Sequence, residues 1–197
     1  MSIRLKFQTI ETNKNEAHYV SEHGAEIIFN FLKKTKTIQR TLQIGLGDGA
    51  LAFVVLSFTN KLHIAIDPDQ SKVQFEGIKN LKRFELFDLV DFRVDYSSAV
   101  LPKLLEGNVL PDLTILDNDQ TFDKMINDFV NIDLICKKGS IILIRKSKNP
   151  NNYLLHQYIT KNRVDYSIVE LELEHFVLYE KIARDIRSIN DFQGINC

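Results

Sequence analysis

The hydrophobic and polar positions follow two alternating patterns along most of the chain. Short apolar runs, typical of buried parallel strands, occur at 42–46, 62–66, 89–94, 113–116 and 140–144. Segments with apolar residues at helical spacing separate them, at 16–34, 50–58, 70–84, 97–106, 122–136 and 151–161. Because strands and helices alternate, we expect a parallel sheet with right-handed crossovers. On the helix at 122–136 we assign to the apolar face Met125, Ile126, Phe129, Val130 and Leu134.

The end of the chain has a different period. Residues 166–173 and 176–181 alternate at period two around a short turn at Glu174, which predicts an antiparallel hairpin. The predicted fold class is therefore α/β, a doubly wound, mostly parallel seven-stranded sheet with a C-terminal antiparallel hairpin. No linker-like segment divides the chain, so we predict one domain at 16–197, preceded by a polar, loosely attached arm at 1–15.

The junction between the first strand and the following helix carries the most informative motif. Gly45, Gly47 and Gly49 interrupt the apolar pattern, and the next strand ends in Asp67. Glycines suit a sharp turn where a ligand approaches the backbone, and a helix start offers unpaired N–H groups. A carboxylate at the end of the next strand is placed to accept hydrogen bonds from ribose hydroxyls. The alternative, a tight turn without a ligand, is weakened by Asp67.

The composition limits the partners and the cellular compartment that we expect for this protein. With 44% hydrophobic and 26% charged residues and a net charge of −1, the chain has no global attraction to nucleic acid or to anionic membranes. No apolar run is long enough to span a membrane, and we expect a cytoplasmic protein.

The glycine loop, with Asp67 after the second strand, resembles the first motif of class I S-adenosylmethionine (SAM) methyltransferases. The segments 66–71, 76–81, 95–105 and 111–123 resemble one branch of that class, the small methyltransferase-24-like O-methyltransferases. Proteins of this branch carry an "IDG-x-H" segment after the fourth strand. The resemblance covers roughly residues 22–163 and implies SAM as the cofactor.

The resemblance also implies roles for individual residues. Asp67 would bind the ribose, and Asp117 would face the transferred methyl group. The residues beside the adenine would be Asp95, Tyr96 and Ser97. The methionine part of SAM would lie against Gln43, which replaces an acidic residue, and against Gly45, Gly47 and Gly49.

Methyl transfer to a hydroxyl needs a base or a metal that lowers the pKa of the acceptor. Asp119 is our candidate base, with Asp117 beside it and His156, on the helix after the fifth strand, as a further candidate. In an alternative interpretation, Asn118 and Asp119 form a turn that caps the helix beginning near Thr121.

The substrate side differs from the "IDG-x-H" pattern. Gln120 occupies the histidine position; it can orient a substrate but cannot accept a proton. At the end of the fifth strand, metal-using relatives carry aspartates, whereas this chain has a basic cluster, Arg145, Lys146 and Lys148. We therefore expect no catalytic divalent cation. Asp117 and Asp119 remain as a weak pair of metal ligands. Arg145 and Lys146 would bind an anionic group on the substrate, or the cluster would be a solvated loop.

Three functions remain open at this point. The first is a SAM-dependent O-methyltransferase that acts on a small hydroxylated acceptor, such as a sugar or a phosphate-bearing conjugate. The second is a SAM-binding protein with impaired catalysis that serves as a binding or assembly partner, since Gln120 and Arg145 depart from the family pattern. The third, an RNA or protein methyltransferase, would show salt-sensitive polymer binding. Nucleic acid is the less favoured partner, and we allow for a homodimer.

Overall fold

The computed structural model describes residues 7, 10, 20–35, 38–118, 120–146, 150–173 and 175–195. The strands are β1 (Thr41–Ile44), β2 (His63–Ile66), β3 (Val90–Arg93), β4 (Leu113–Leu116), β5 (Ile141–Arg145), β6 (Tyr166–Val169) and β7 (Phe176–Lys181). The α-helices are α1 (Glu22–Lys34), α2 (Ala50–Thr59), α3 (Glu76–Arg83), α4 (Ser97–Glu106), α5 (Phe122–Ile135) and α6 (Pro150–Asn162). Short 3₁₀ turns occur at Phe87–Leu89 and Ile189–Asp191.

The strands form one seven-stranded sheet in the order β3-β2-β1-β4-β5-β7-β6. Strands β1 to β5 pair in parallel, and β7 runs antiparallel between β5 and β6. The predicted fold class is therefore confirmed. The strand order reverses between β1 and β4, which is where sheets of this kind place a ligand crevice at their carboxyl ends.

Helices cover both faces of the sheet. One apolar cluster joins the sheet to α1, α2 and α3, and the other joins it to α4, α5 and α6. At the two described positions of the N-terminal arm, Phe7 and Ile10 are only 3% and 6% exposed, and the Phe7 ring lies 6.4 Å from that of Phe53. The arm is therefore not loosely attached at these two residues.

Two helices begin later than predicted. Helix α1 begins at Glu22 because the side chain of Ser21 caps it, accepting a hydrogen bond from the N–H of Gly24 at 3.1 Å. Helix α3 begins at Glu76 and not at residue 70, because Gln74 and Phe75 have left-handed backbones (φ 53° and 59°) that a right-handed helix excludes.

No helix in the described part of the chain is both long and apolar enough to cross a membrane.

Candidate functional site

The loop between β1 and α2 depends on three glycines with left-handed backbones, Gly45, Gly47 and Gly49. A Cβ atom on Gly45 would lie 2.2 Å from the carbonyl oxygen of Asp117. One on Gly49 would lie 2.9 Å from the carbonyl oxygen of Gly77 in α3, whereas one on Gly47 would meet nothing within 4 Å. Two of the three glycines are therefore required by close backbone packing, apart from any ligand.

Asp67 connects this loop to the end of β2. Its Oδ2 accepts hydrogen bonds from the backbone N–H groups of Leu46 and Gly47, at 3.0 and 3.2 Å. The side-chain amide of Gln70 donates to the same oxygen at 2.8 Å, and the N–H of Asp69 donates to Oδ1 at 2.8 Å. Asp67 thus anchors the glycine loop, a role that the sequence did not reveal, and ribose binding stays a prediction for it.

Two polar side chains lie inside the loop region. Gln43 is buried, and its Nε2 donates to the carbonyl of Gly45 at 2.6 Å. Asp48 accepts a hydrogen bond from the N–H of Ala50 at 3.0 Å. Burial raises the pKa of Asp48 to about 6, against the opposing Ala50 hydrogen bond, and the carboxylate of Asp117 adds to the rise. Asp48 was not among the predicted site residues.

A cavity of about 570 Å³, which we call the central cavity, lies beyond the carboxyl ends of β1, β2 and β4. It is about as large as the pockets that hold nucleoside-sized ligands. Its wall consists of Ile44, Gly45, Ile66, Asp67, Pro68, Asp69, Tyr96, Ser97, Ser98, Asn118, Gln120, Thr121, Lys124, Asn127, Asp128 and Asn151.

The wall contains some of the predicted cofactor residues and omits others. Tyr96 is 62% exposed at the rim, and Ser97 is 8% exposed at the first position of α4. The carboxylate of Asp95 instead accepts a hydrogen bond from the adjacent N–H of Tyr96 at 2.8 Å. Among the described residues, the predicted site residues outside this wall are Gln43, Gly47, Gly49, Asp95, Asp117, Arg145, Lys146 and His156.

A buried carboxylate on α5 lies in the same wall. Asp128 is 1% exposed and accepts hydrogen bonds from the Ser97 hydroxyl at 2.6 Å and from the Asn118 amide at 3.1 Å. Burial raises the pKa of Asp128, and these two hydrogen bonds oppose the rise. The Asn118 oxygen, which would have to accept from a helix N–H, has no hydrogen-bond partner among the described residues, so Asn118 does not cap α5. Asp128 was not among the predicted site residues, although it lies on the buried face of α5 beside Met125 and Phe129.

Asp117 and Arg145 form an ion pair between the ends of β4 and β5, with the Arg145 Nε donating to Asp117 Oδ1. The Arg145 side chain is 1% exposed, and its guanidinium lies 4.9 Å from the centre of the Phe176 ring. The solvated-loop interpretation is therefore wrong for Arg145, because the guanidinium is buried against a carboxylate and an aromatic ring. Lys146 is exposed, and Lys148 lies outside the described residues.

A second cavity, of about 490 Å³, lies at the same end of the sheet near β6 and β7; we call it the edge cavity. Lys146 and His156 line it together with Glu170, Glu172 and the apolar residues Ile168, Val169, Leu171, Leu173, Phe176 and Val177. The structure therefore brings Lys146 and His156 together, but not with the residues of the central cavity.

The His156 ring is held by a neighbour on β7. Its Nδ1 is hydrogen bonded to the hydroxyl of Tyr179, whose pKa burial raises above its ordinary value. Burial also lowers the pKa of His156, and the charge of Lys146 adds to this shift. In this pair either the Tyr179 hydroxyl donates to Nδ1 or an Nδ1–H donates to the hydroxyl oxygen, according to the tautomer of the imidazole.

The predicted base Asp119 lies outside the described residues. Among those that the structure does describe, no three His, Cys, Asp or Glu side chains are grouped to hold a metal ion.

No family model and no curated protein matches the sequence. Solved structures share its fold. The O-methyltransferase TomG from Streptomyces achromogenes, in complex with SAM, is 14% identical, with 92% of this chain and 96% of that chain covered and a TM-score of 0.68. Cofactor-bound Rv0187 from MTB is 15% identical, over 90% of this chain and 86% of that chain, with a TM-score of 0.67. An rRNA methylase from Streptococcus thermophilus is 10% identical, over 82% and 96%, with a TM-score of 0.62.

Proposed function

We propose that this protein is a SAM-dependent methyltransferase that binds SAM in the central cavity. The observation that carries the proposal is the position of this cavity, beyond the ends of β1, β2 and β4, where the strand order reverses. The fold is that of TomG and Rv0187, which were crystallised with SAM and with a cofactor respectively.

The charges of the cavity wall favour this cofactor over a nucleotide. Asp67, Asp69 and Asp128 line the cavity, and Lys124 is the one cation among the described residues of its wall. Phosphate groups bind to basic side chains and would meet a repulsive wall here. SAM instead carries a positive sulfonium and a positive amino group, which suit an acidic wall.

The residues present fit the parts of such a ligand. Asp67 lies where ribose hydroxyls would donate to its Oδ1, which accepts one hydrogen bond in the structure. Tyr96 and Ser97 would contact the adenine, and the loop at Gly45 would lie beside the methionine part. When bound, SAM supplies a methyl group on a positively charged sulfur, and the protein has to position the acceptor and take up its proton.

A pair of tyrosine variants tests the cavity assignment. Tyr96 and Tyr153 are similarly exposed, at 62% and 60%, but only Tyr96 lines the cavity. We expect Tyr96→Ala to weaken SAM binding about tenfold, because an aromatic contact surface is lost. Tyr153→Ala should leave the dissociation constant unchanged in titration calorimetry. Equal effects of the two variants would place the ligand elsewhere.

For the acceptor we propose a hydroxyl of a small molecule, such as a sugar or a phosphate-bearing conjugate, with Asp119 taking up its proton. The edge cavity supports this, since Lys146 and His156 line it and would bind an anionic group there. Gln120 would orient the acceptor from the central cavity. The fold does not choose the acceptor, because TomG and the rRNA methylase share it. Methyl transfer from labelled SAM to matched hydroxylated acceptors, with and without a phosphate, tests the anionic preference; transfer that is indifferent to the phosphate contradicts it.

A further inference from the structure

The edge cavity lies where the hairpin of β6 and β7 opens. The ladder between the two strands stops at the pair Val169 and Leu178. The same register, continued, would pair Leu171 with Phe176, but residues 170–173 form no strand. The two chain segments therefore separate, and the space between them has the mostly apolar wall that is usual for a small-molecule site. Its apolar residues are Ile168, Val169, Leu171, Leu173, Phe176 and Val177.

The charged groups of this cavity come from opposite sides of strand β7. Phe176 and Val177, at the start of β7, line the cavity, and β7 lies between β5 and β6 in the sheet. Lys146 follows β5, whereas Glu170 and Glu172 follow β6. Since β5 and β6 both run antiparallel to β7, their carboxyl ends lie at the same edge of the sheet, roughly 10 Å apart. A positive charge thus lies on one side of an apolar floor and two negative charges on the other.

These three charges are available to a ligand. Lys146, Glu170 and Glu172 are exposed, and no ion pair within the described part of the chain includes them. His156 is neutral at pH 7, because burial lowers its pKa and the charge of Lys146 adds to this shift. Lys146 is therefore the one cation among the described residues of this wall.

We propose that the edge cavity binds an amphipathic zwitterion, a compound built like an amino acid with a large apolar side chain. The apolar part would lie against Phe176 and Val177. The ammonium group would pair with Glu170 and Glu172. Lys146, on a flexible four-carbon stem, would reach the carboxylate of the same ligand. A ligand with hydroxyls in place of the apolar part would leave them unpaired against this floor.

The position of this cavity indicates what such a ligand would be used for. Helix α6 contributes Asn151 to the wall of the central cavity and His156 to the wall of the edge cavity, about 7.5 Å apart along the helix axis. A compound in the edge cavity would therefore be held beside the methyl donor, as the part of the acceptor that does not react. This use of the site rests on the proposed function, whereas the binding itself does not.

Four indole compounds test the charge selectivity. The chain contains no tryptophan, so the emission of the ligand is recorded without an indole background. L-tryptophan carries both charges, indole-3-propionate only the carboxylate, tryptamine only the ammonium group and 3-methylindole neither. The fluorescence anisotropy of each compound, at increasing concentrations of the full chain, gives its dissociation constant. We expect the wild type to bind L-tryptophan about tenfold more tightly than 3-methylindole, with the two singly charged compounds in between.

Exposed variants separate the two kinds of charge. Lys146→Ala should weaken the binding of L-tryptophan and indole-3-propionate about threefold and should not weaken that of tryptamine. The double variant Glu170→Gln and Glu172→Gln should weaken L-tryptophan and tryptamine to a similar extent and should not weaken indole-3-propionate. Lys138→Ala is the matched control, at an exposed lysine that precedes the amino end of β5, and should change no dissociation constant.

Each outcome has a distinct meaning. Equal losses for indole-3-propionate and tryptamine in Lys146→Ala, or equal wild-type affinity for all four compounds, would overturn the inference, because the cavity would then select by its apolar wall alone. The absence of saturable binding by all four would overturn it as well. Calorimetric titration with SAM is a separate measurement. Selective binding of L-tryptophan without binding of SAM would contradict the proposed function and not this inference, whereas binding of SAM without L-tryptophan would contradict this inference alone.

Discussion

Buried ion pairs occur at both ends of strand β5, and the two pairs differ in how many hydrogen-bond donors surround the carboxylate. At the carboxyl end, Arg145 pairs with Asp117. Nearby, Gln43 and Asn118 each keep a buried oxygen without a hydrogen-bond partner in the described structure. These unpaired oxygens lie around the glycine loop and the central cavity.

At the amino end of β5, Asp133 is surrounded by donors. It accepts from Lys181, from Arg163 Nη2 at 2.8 Å and from the Tyr166 hydroxyl at 2.7 Å. The same Nη2 of Arg163 also donates to Asp165, at 2.6 Å. Burial alone would raise the pKa of Asp133, but these hydrogen bonds lower it below its ordinary value.

This difference between the two ends of β5 separates the residues expected to affect stability from those expected to affect ligand binding. A closed network leaves no atom for a ligand, so the amino-end charges serve to hold α5, β6 and β7 together. An unpaired buried oxygen costs free energy unless something else satisfies it. Because the central cavity lies at the carboxyl ends of the strands, that end is expected to respond to a ligand, and variants at the two ends should affect different measurements.

The largest effect is expected from Asp133→Ala. The change leaves Lys181 buried without its main partner and removes one partner of Arg163, so the free energy of unfolding should fall by about 3–5 kcal/mol in urea denaturation. SAM affinity of the folded fraction should be unchanged. Asp123→Ala, at an exposed position of the same helix, should change the free energy of unfolding far less, because solvent screens an exposed charge. A small loss of unfolding free energy in Asp133→Ala, or a loss of SAM affinity in that variant, would contradict the assignment of the amino end to stability alone.

The second-largest loss of stability is expected from alanine substitutions in the glycine loop, which are compared at two positions. Gly45→Ala combines a left-handed backbone with a Cβ only 2.2 Å from a carbonyl oxygen, so it should destabilise by about 3 kcal/mol or more. Gly47→Ala has the same kind of backbone but no neighbour within 4 Å, and should cost about 1 kcal/mol. Thermal and urea unfolding compare the two; equal costs would mean that the approach of Gly45 to Asp117 does not constrain the loop.

The smallest effect is the pH dependence of Asp48. Its pKa in the folded protein is about 6, against an ordinary 3.8, so between these values the folded protein keeps a proton that the unfolded chain has released. Stability therefore falls as pH rises from about 4 to about 6. Asp48→Asn removes this loss, so the variant should gain ~2 kcal/mol relative to wild type between pH 4 and pH 7. Parallel pH curves for the two proteins would show that Asp48 is not perturbed.

The fold was predictable because local patterns and long-range pairing agree. Helix α4 and strand β7 have the predicted bounds, 97–106 and 176–181. Helix α3 was predicted too long because apolar spacing does not reveal that Gln70 turns inward, where its amide also reaches the carbonyl of Gly47 at 2.8 Å. Strand β6 ends at Val169, before the alternating pattern ends.

The site was predictable only in part. The glycines and Asp67 follow from their positions at strand ends, but the partners of Asp67 depend on tertiary contacts. The predicted apolar face of α5 is confirmed at Met125 and Phe129 but wrong at Val130 and Leu134, which are 42% and 57% exposed. Its buried residues are Met125, Asp128, Phe129, Ile132 and Ile135. An apolar count cannot identify Asp128 as a buried residue, since its place in the core depends on two donors from other elements.

Titration calorimetry of the wild-type protein with SAM tests the central claim most directly. The account predicts saturable one-to-one binding with a dissociation constant in the micromolar range, and competition by S-adenosylhomocysteine. The absence of saturable heat with both compounds would contradict it, and the central cavity would then not be a SAM site.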